Sequence, residues 1–260
     1  TYNSGSAGNL NGTGLIDTDL TWSSNKSFNV GDGGSEFDLE ISGSIIDSGG
    51  RSPNALIKNG TGKLLLSGAD NTANNTILIR NGTVAFSDDS QLSSGDVVLG
   101  FNATSAALEY VGSGGTTNNR IDIGRGSATD TSFTGGAIVV SSGTGAIEFT
   151  NGTFNDPIAQ VSTITRDLTF RGLNTDDNTV SGVIADNDAG GVINVIKEDA
   201  GKWILNGDNT YSGTTSLNEG RLDIGGTNTG TGEFTVASYA VLGGEGSIAG
   251  DLTFGAGGVL

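Results

Sequence analysis

Apolar residues in this chain come in short runs at alternate positions, fenced by Gly, Asn, Asp and Ser. Leu64-Leu65-Leu66, Thr76-Ile77-Leu78-Ile79, Thr83-Val84-Ala85-Phe86 and Ala137-Ile138-Val139-Val140 are examples. A period of two puts every second side chain on one face of a strand, whereas a helix needs apolar spacings of three and four. No stretch of about 12 residues keeps the helical spacing. The pattern predicts an all-β chain. Its strands are too short and too numerous for an ordinary sandwich of this length.

The runs also repeat. Lys58-Asn59-Gly60-Thr61-Gly62-Lys63-Leu64-Leu65-Leu66-Ser67-Gly68 aligns without a gap on Lys197-Glu198-Asp199-Ala200-Gly201-Lys202-Trp203-Ile204-Leu205-Asn206-Gly207. After a one-residue gap, Asp70-Asn71-Thr72 matches Asp208-Asn209-Thr210, and Asn81-Gly82-Thr83-Val84-Ala85-Phe86 matches Glu219-Gly220-Arg221-Leu222-Asp223-Ile224. Upstream, Ser42-Gly43-Ser44-Ile45-Ile46-Asp47 resembles Ser181-Gly182-Val183-Ile184-Ala185-Asp186. One long unit thus occurs twice, near 41–100 and 180–242. A shorter period closes the chain: Phe234-Thr235-Val236 to Val241-Leu242 lines up with Leu252-Thr253-Phe254 to Val259-Leu260.

A period of about 18–20 residues is too short for a domain and suits one coil of a solenoid. The expected fold is a right-handed parallel β-helix, residues 1–260 as a single domain of roughly a dozen coils. Its length would be on the order of 60 Å. Alternation points Leu64, Leu66, Ile77, Ile79, Val84 and Phe86 inward in the first copy. Trp203, Leu205, Leu217, Leu222 and Ile224 are their counterparts in the second. The 45 glycines fit repeated sharp turns, many at positive φ, and the pairs Gly62/Gly201, Gly68/Gly207 and Gly82/Gly220 mark matching corners. The two prolines are few because a stacked strand needs its backbone donors. The chain stops at Gly257-Gly258-Val259-Leu260, inside a repeat, which suggests a piece of a longer protein.

Charge and residue usage narrow the function. With 12 Lys+Arg against 29 Asp+Glu, the net charge is −17. Such a surface repels phosphate backbones and anionic lipid, which argues against nucleic acid as a partner. No run of 18 apolar residues is present, so no segment reads as inserting in a membrane by a helix. The chain has no Cys, Met or His. The commonest transition-metal ligands, the usual general base and the thiol nucleophile are therefore missing. The acidic pairs Asp88-Asp89 and Asp176-Asp177 lie in Ser/Thr/Asn-rich turns, where adjacent carboxylates splay and do not converge on one bond. Asp17-Thr18-Asp19, Asp186-Asn187-Asp188 and Gly33-Gly34-Ser35-Glu36-Phe37-Asp38 are candidate calcium loops, the last lacking the tandem form that a calcium β-roll needs. Trp22, Trp203, Tyr110, Tyr211 and Tyr239 are scattered, and core packing explains Trp203 better than a sugar platform. The expectation is no catalytic site, no metal and no cofactor.

Lys197 to Gly225, KEDAGKWILNGDNTYSGTTSLNEGRLDIG, resembles the passenger-associated transport repeat, also called the autotransporter-associated β-strand repeat. Its pattern is roughly K-x-G-x-G-x-L-x-L-x-G-x-N-T-Y-x-G-x-T-x-v-x-x-G-x-L. Lys197, Gly201, Trp203, Leu205, Gly207, Asn209, Thr210, Tyr211, Gly213, Thr215, Gly220 and Leu222 fall on it. Asp199 departs from the first Gly, which Gly60 keeps in the first copy; Ala73 and Asn75 depart there from Tyr and Gly. The resemblance implies a right-handed β-helix on the bacterial exterior, held to the outer membrane through a region outside this chain. On that footing the expected function is a structural scaffold or passenger module, not an enzyme, with end-to-end self-association. The alternative is an adhesin that binds a glycan or surface protein through one lateral face.

Overall fold

The computed structural model describes residues 2–3, 12–47, 54–69, 71, 76–101, 104–125, 135–151, 153–155, 164–186 and 190–260. Short strands follow one another along the chain and pair only with strands one coil away, always in parallel. Stacked in this way they make a parallel β-helix with three long faces. The first sheet has eleven strands, from Gly14–Ile16 through Lys63–Leu66, Ala137–Ser141 and Ile193–Lys197 to Leu252–Phe254. The second has eight, from Tyr2–Asn3 through Ala55–Asn59 and Ile121–Arg125 to Val183–Ile184. The third has six and begins only at Ser113–Thr117, ending at Val241–Gly243. Eleven strands at about 4.8 Å make a rod about 50 Å long, a little shorter than the dozen coils expected from the period. The one helix among the described residues is a single 3-10 turn, Asp89–Gln91. It sits on the side that the third sheet occupies in later coils and touches that sheet's first strand.

Alternation decides what lies inside. A continuous inward column of the first sheet runs Leu39, Leu64, Val84, Leu108, Val139, Phe170, Lys197, Leu217, Val236. All of these are buried, as are the inward residues expected from the sequence in both copies. Trp203 is packed between Phe170 and Phe149, with ring centres 4.9 and 6.3 Å away. Its indole N–H donates to the Arg171 carbonyl at 3.0 Å, so burial leaves no polar cost at that atom.

The coil length is not uniform. Leu64 pairs with Val84, and Lys197, Leu217, Val236 and Phe254 follow at 20, 19 and 18 residues, as the sequence period predicts. Between them, Leu108 pairs with Val139 and Val139 with Phe170, each 31 residues apart. The added residues fall between the second sheet and the first, and the strand register on either side is intact. This register explains why the periodicity is legible only at the C-terminal end.

Glycine does two jobs. Gly82 and Gly220 hold φ of 73° and 72°, as a left-handed corner requires. Gly62, Gly68, Gly201 and Gly207 do not. There a Cβ would overlap backbone of the preceding coil, the Gly43 carbonyl for Gly68 and the Gly182 carbonyl for Gly207. Close stacking, not positive φ, is therefore the reason for four of the six paired glycines. Gly182, Gly207, Gly226 and Gly246 lie directly on one another in successive coils.

Candidate functional site

At its corners the chain must turn away from the sheets, and its carbonyls lose their ladder partners. Inward polar side chains meet them. Asn119 donates from its amide to the Ser93 and Gly95 carbonyls at 2.6 and 2.7 Å. The Asn178 amide reaches the Lys202 carbonyl at 2.9 Å, and within the strand Ile121–Arg125 the Arg166 guanidinium donates to the Ile123 carbonyl at 2.6 Å.

The most complete of these arrangements belongs to the repeat. Lys58 follows Leu56, and Lys197 follows Val195, at the parity that faces inward. Neither lysine exposes any surface. The Lys58 ammonium donates to the carbonyls of Asn59 (3.1 Å), Gly60 (2.8 Å) and Asn81 (3.1 Å). The Lys197 ammonium donates to those of Glu198 (2.7 Å), Asp199 (2.6 Å) and Glu219 (3.1 Å). The positions correspond one to one. Two acceptors lie in the lysine's own corner and the third in the corner of the next coil. Burial pushes each amine down to about 8, against the pull of Asp38 on Lys58 and of Asp199, Glu219 and Glu198 on Lys197. Both therefore remain charged at neutral pH, and an ammonium's three N–H groups match three carbonyls.

Asp199, where the repeat pattern has Gly, keeps the corner's shape at φ 59°. Its carboxylate accepts the Gly172 amide at 3.0 Å and pairs with Arg171 at 3.5 Å, contacts that offset the strain of a left-handed non-glycine. The repeat asparagines also correspond. The Asn71 side-chain oxygen accepts the Ile45 amide at 2.6 Å, and that of Asn209 accepts the Ile184 amide at 2.9 Å, each in the coil below. Tyr211 is buried with its hydroxyl 2.7 Å from Thr215, and burial raises it to about 12.

The two copies do not lie on the same faces. Lys58 stands in the second sheet and Lys63 to Leu66 in the first; Lys197 stands in the first and Lys202 to Leu205 in the third. The repeat is thus a strand–corner–strand unit whose local geometry survives a change of face.

The other candidates read from the sequence resolve differently. Asp88 caps the 3-10 turn, where the Ser90 hydroxyl and amide hold its carboxyl below the usual range. Asp177 pairs with Lys202, which also reaches Asp223. Asp19 accepts the Ser44 amide, Asp38 the Gly33 and Lys63 amides, and Asp186 the Ile193 and Ser212 amides. These carboxylates tie loops and coils together and do not converge on a common point; Asn187 and Asp188 lie outside the described residues, as do Ala73 and Asn75. Among the described residues no group of three or more Asp or Glu side chains is placed to hold a metal ion. Trp22, Tyr110, Tyr211 and Trp203 are buried, and Tyr239 alone of the five stands out in solvent. Sequence reasoning found the repeat lysines and asparagines as matches but missed that they are interior. The parity of Leu56 with Lys58 and of Val195 with Lys197 was the available signal.

The model of the passenger-associated transport repeat family matches residues 56–86 and 195–224. The adhesin BmaC autotransporter of Brucella suis biovar 1 (strain 1330) is 38% identical over 149 residues, which cover 56% of this chain and 4% of that protein. The chain therefore matches only a small part of that much longer protein's length. No solved structure matches the chain. The family matches begin beside the two buried lysines and end on the strands that follow Gly82 and Gly220. Two stretches of this parallel β-helix thus match the passenger-associated transport repeat, which indicates a secreted, cell-surface protein.

Proposed function

We propose that the chain is a structural section of a long bacterial surface protein, a stiff spacer that carries other parts of the same protein away from the cell. One observation carries this reading. The repeat's matching residues are spent on the interior and on corners, and its two copies face different directions around the rod. A repeat kept for binding would present a common outer surface; a repeat kept for building need not. The whole domain, residues 1–260, acts as one rod, and its anchor is a separate membrane barrel outside this chain. No step of catalysis is assigned to it.

A second reading has its own support. The relative carries the name adhesin, and a lateral face of this rod would then bind a glycan or a surface protein. Exposed Tyr239 and Leu173 are the apolar side chains such a face would use. Negative-stain electron microscopy with sedimentation, followed by glycan and host-surface-protein arrays, separates the two. The spacer reading expects uniform rods about 50 Å long and no saturable ligand. Saturable binding abolished by Tyr239→Ala or Leu173→Ala replaces it with the adhesive reading. Rods that lengthen with concentration would add end-to-end assembly.

A further inference from the structure

We propose that each repeat is a clasp that makes three successive coils open and close as one unit. The inference goes beyond the spacer reading and holds whether or not the rod is adhesive. Its basis is the direction of the contacts. Lys197 reaches forward to the Glu219 carbonyl in the next coil, while Asn209 reaches back to the Ile184 amide in the coil before. Lys58 reaches forward to the Asn81 carbonyl, and Asn71 back to the Ile45 amide. Backbone bonds from both asparagines add forward ties, to the Ser90 and Thr227 carbonyls. Ladder hydrogen bonds join a coil only to its neighbours, so stability along a solenoid is a sum of coil and nearest-neighbour terms. Side chains that span the coil before and the coil after couple those neighbours to each other.

The clasp acts in a charged setting. Glu198 and Asp199 of the same corner, and Glu219 of the next, face the Lys197 ammonium, and Arg171 from the coil below pairs with the first two. Asp38 stands near Lys58. The ammonium therefore sits inside an acidic corner in the second copy and near one carboxylate in the first. Removing it takes a charged donor from the Glu198, Asp199 and Glu219 carbonyls in the second copy and from those of Gly60 and Asn81 in the first, where the Asn59 carbonyl keeps the Val30 amide. Because the copies occupy different faces, what they share is this coupling and not a surface.

Hydrogen exchange read by mass spectrometry on the full chain tests the proposal. Lys197→Met keeps the apolar stem and removes the donors. The Asn218 and Arg221 amides donate to the Lys197 and Gly201 carbonyls. These are expected to exchange at least tenfold faster in the variant, and the Ile184 amide of the coil before is expected to speed up with them. Amides of the strands Ala106–Tyr110 and Ala137–Ser141 are expected to keep their rates. Asn209→Leu is expected to give the same set of faster amides from the other side. Acceleration limited to Lys197's own corner, or spread evenly along the rod, overturns the proposal. If Lys197→Met does not fold, Lys197→Ala is refolded with n-propylammonium chloride or with n-propanol. Refolding with the amine alone supports the clasp; refolding with neither, or equally with both, overturns it.

Discussion

Raising the pH from 8 to 10 is expected to stabilise the wild-type rod relative to a Lys58→Met/Lys197→Met double variant. The sign follows from burial. Each amine sits near 8 when folded against 10.5 in the open chain. Between these values the unfolded chain holds one more proton per lysine than the folded one, so the free energy of unfolding rises with pH. Below pH 8 both states are charged, and the full cost of burying the ammonium is present. Each pH unit within the window contributes about 1.4 kcal/mol per lysine. Two lysines over two units set a ceiling of about 5 kcal/mol. The carbonyls around each ammonium favour its charged form and pull the measured gain below that ceiling. Above pH 10 Tyr211 works in the opposite sense, because it is pushed up to about 12 and its unfolded form ionises first. The assay is urea unfolding at fixed ionic strength at pH 7, 8, 9 and 10, followed by tryptophan fluorescence and circular dichroism. Taking the difference from the double variant cancels the general repulsion of an acidic chain. A difference that stays flat, or falls with pH, refutes the assignment of buried, weakened amines at these corners.

Other substitutions probe the packing. Trp203→Ala, emptying the space between Phe149 and Phe170, is expected to cost about 3–5 kcal/mol in urea unfolding. Gly207→Ala puts a methyl into the Gly182 carbonyl, whereas Gly12→Ala meets nothing within 4 Å; only the first is expected to lower the denaturation midpoint substantially. Tyr239→Gly is expected to stabilise the rod by roughly 0.5–1 kcal/mol, since Tyr239 holds φ 66° and the residue is 87% exposed. Lys63→Gln, which breaks a 2.6 Å ion pair to Glu109 arching over Ala85, is expected to cost no more than about 1 kcal/mol and less in high salt.

The all-β class and the inward residues were legible because alternation is a local signal. Leu64, Phe86, Trp203 and Leu222 needed no knowledge of their neighbours to be placed inside. The repeat was legible for the same reason, as two strands and a corner written in one stretch of chain. What the sequence hid was non-local. Nothing in Lys58 or Lys197 states which sheet receives it, because that depends on how many residues each earlier coil has consumed. The 31-residue coils after Leu108 therefore broke a period that holds from Lys197 onward. The glycine rationale failed in part for the same reason. Gly68 and Gly207 answer to a carbonyl one coil away, which no local turn rule contains. Asp19, Asp38, Asp88 and Asp186 accept backbone amides as caps and inter-coil ties, and the amides across a coil that need these acceptors are not displayed by a sequence.

A net charge of −17 on a rod about 50 Å long amounts to roughly one negative charge per 3 Å of axis. Duplex DNA carries one per about 1.7 Å. The rod is thus a polyelectrolyte of the same order, and it gathers a sheath of cations from its medium. Bringing two such rods end to end, or one rod to an anionic cell envelope, means compressing two cation atmospheres. Salt then sets how closely they approach, with separation favoured in fresh water and contact in brine.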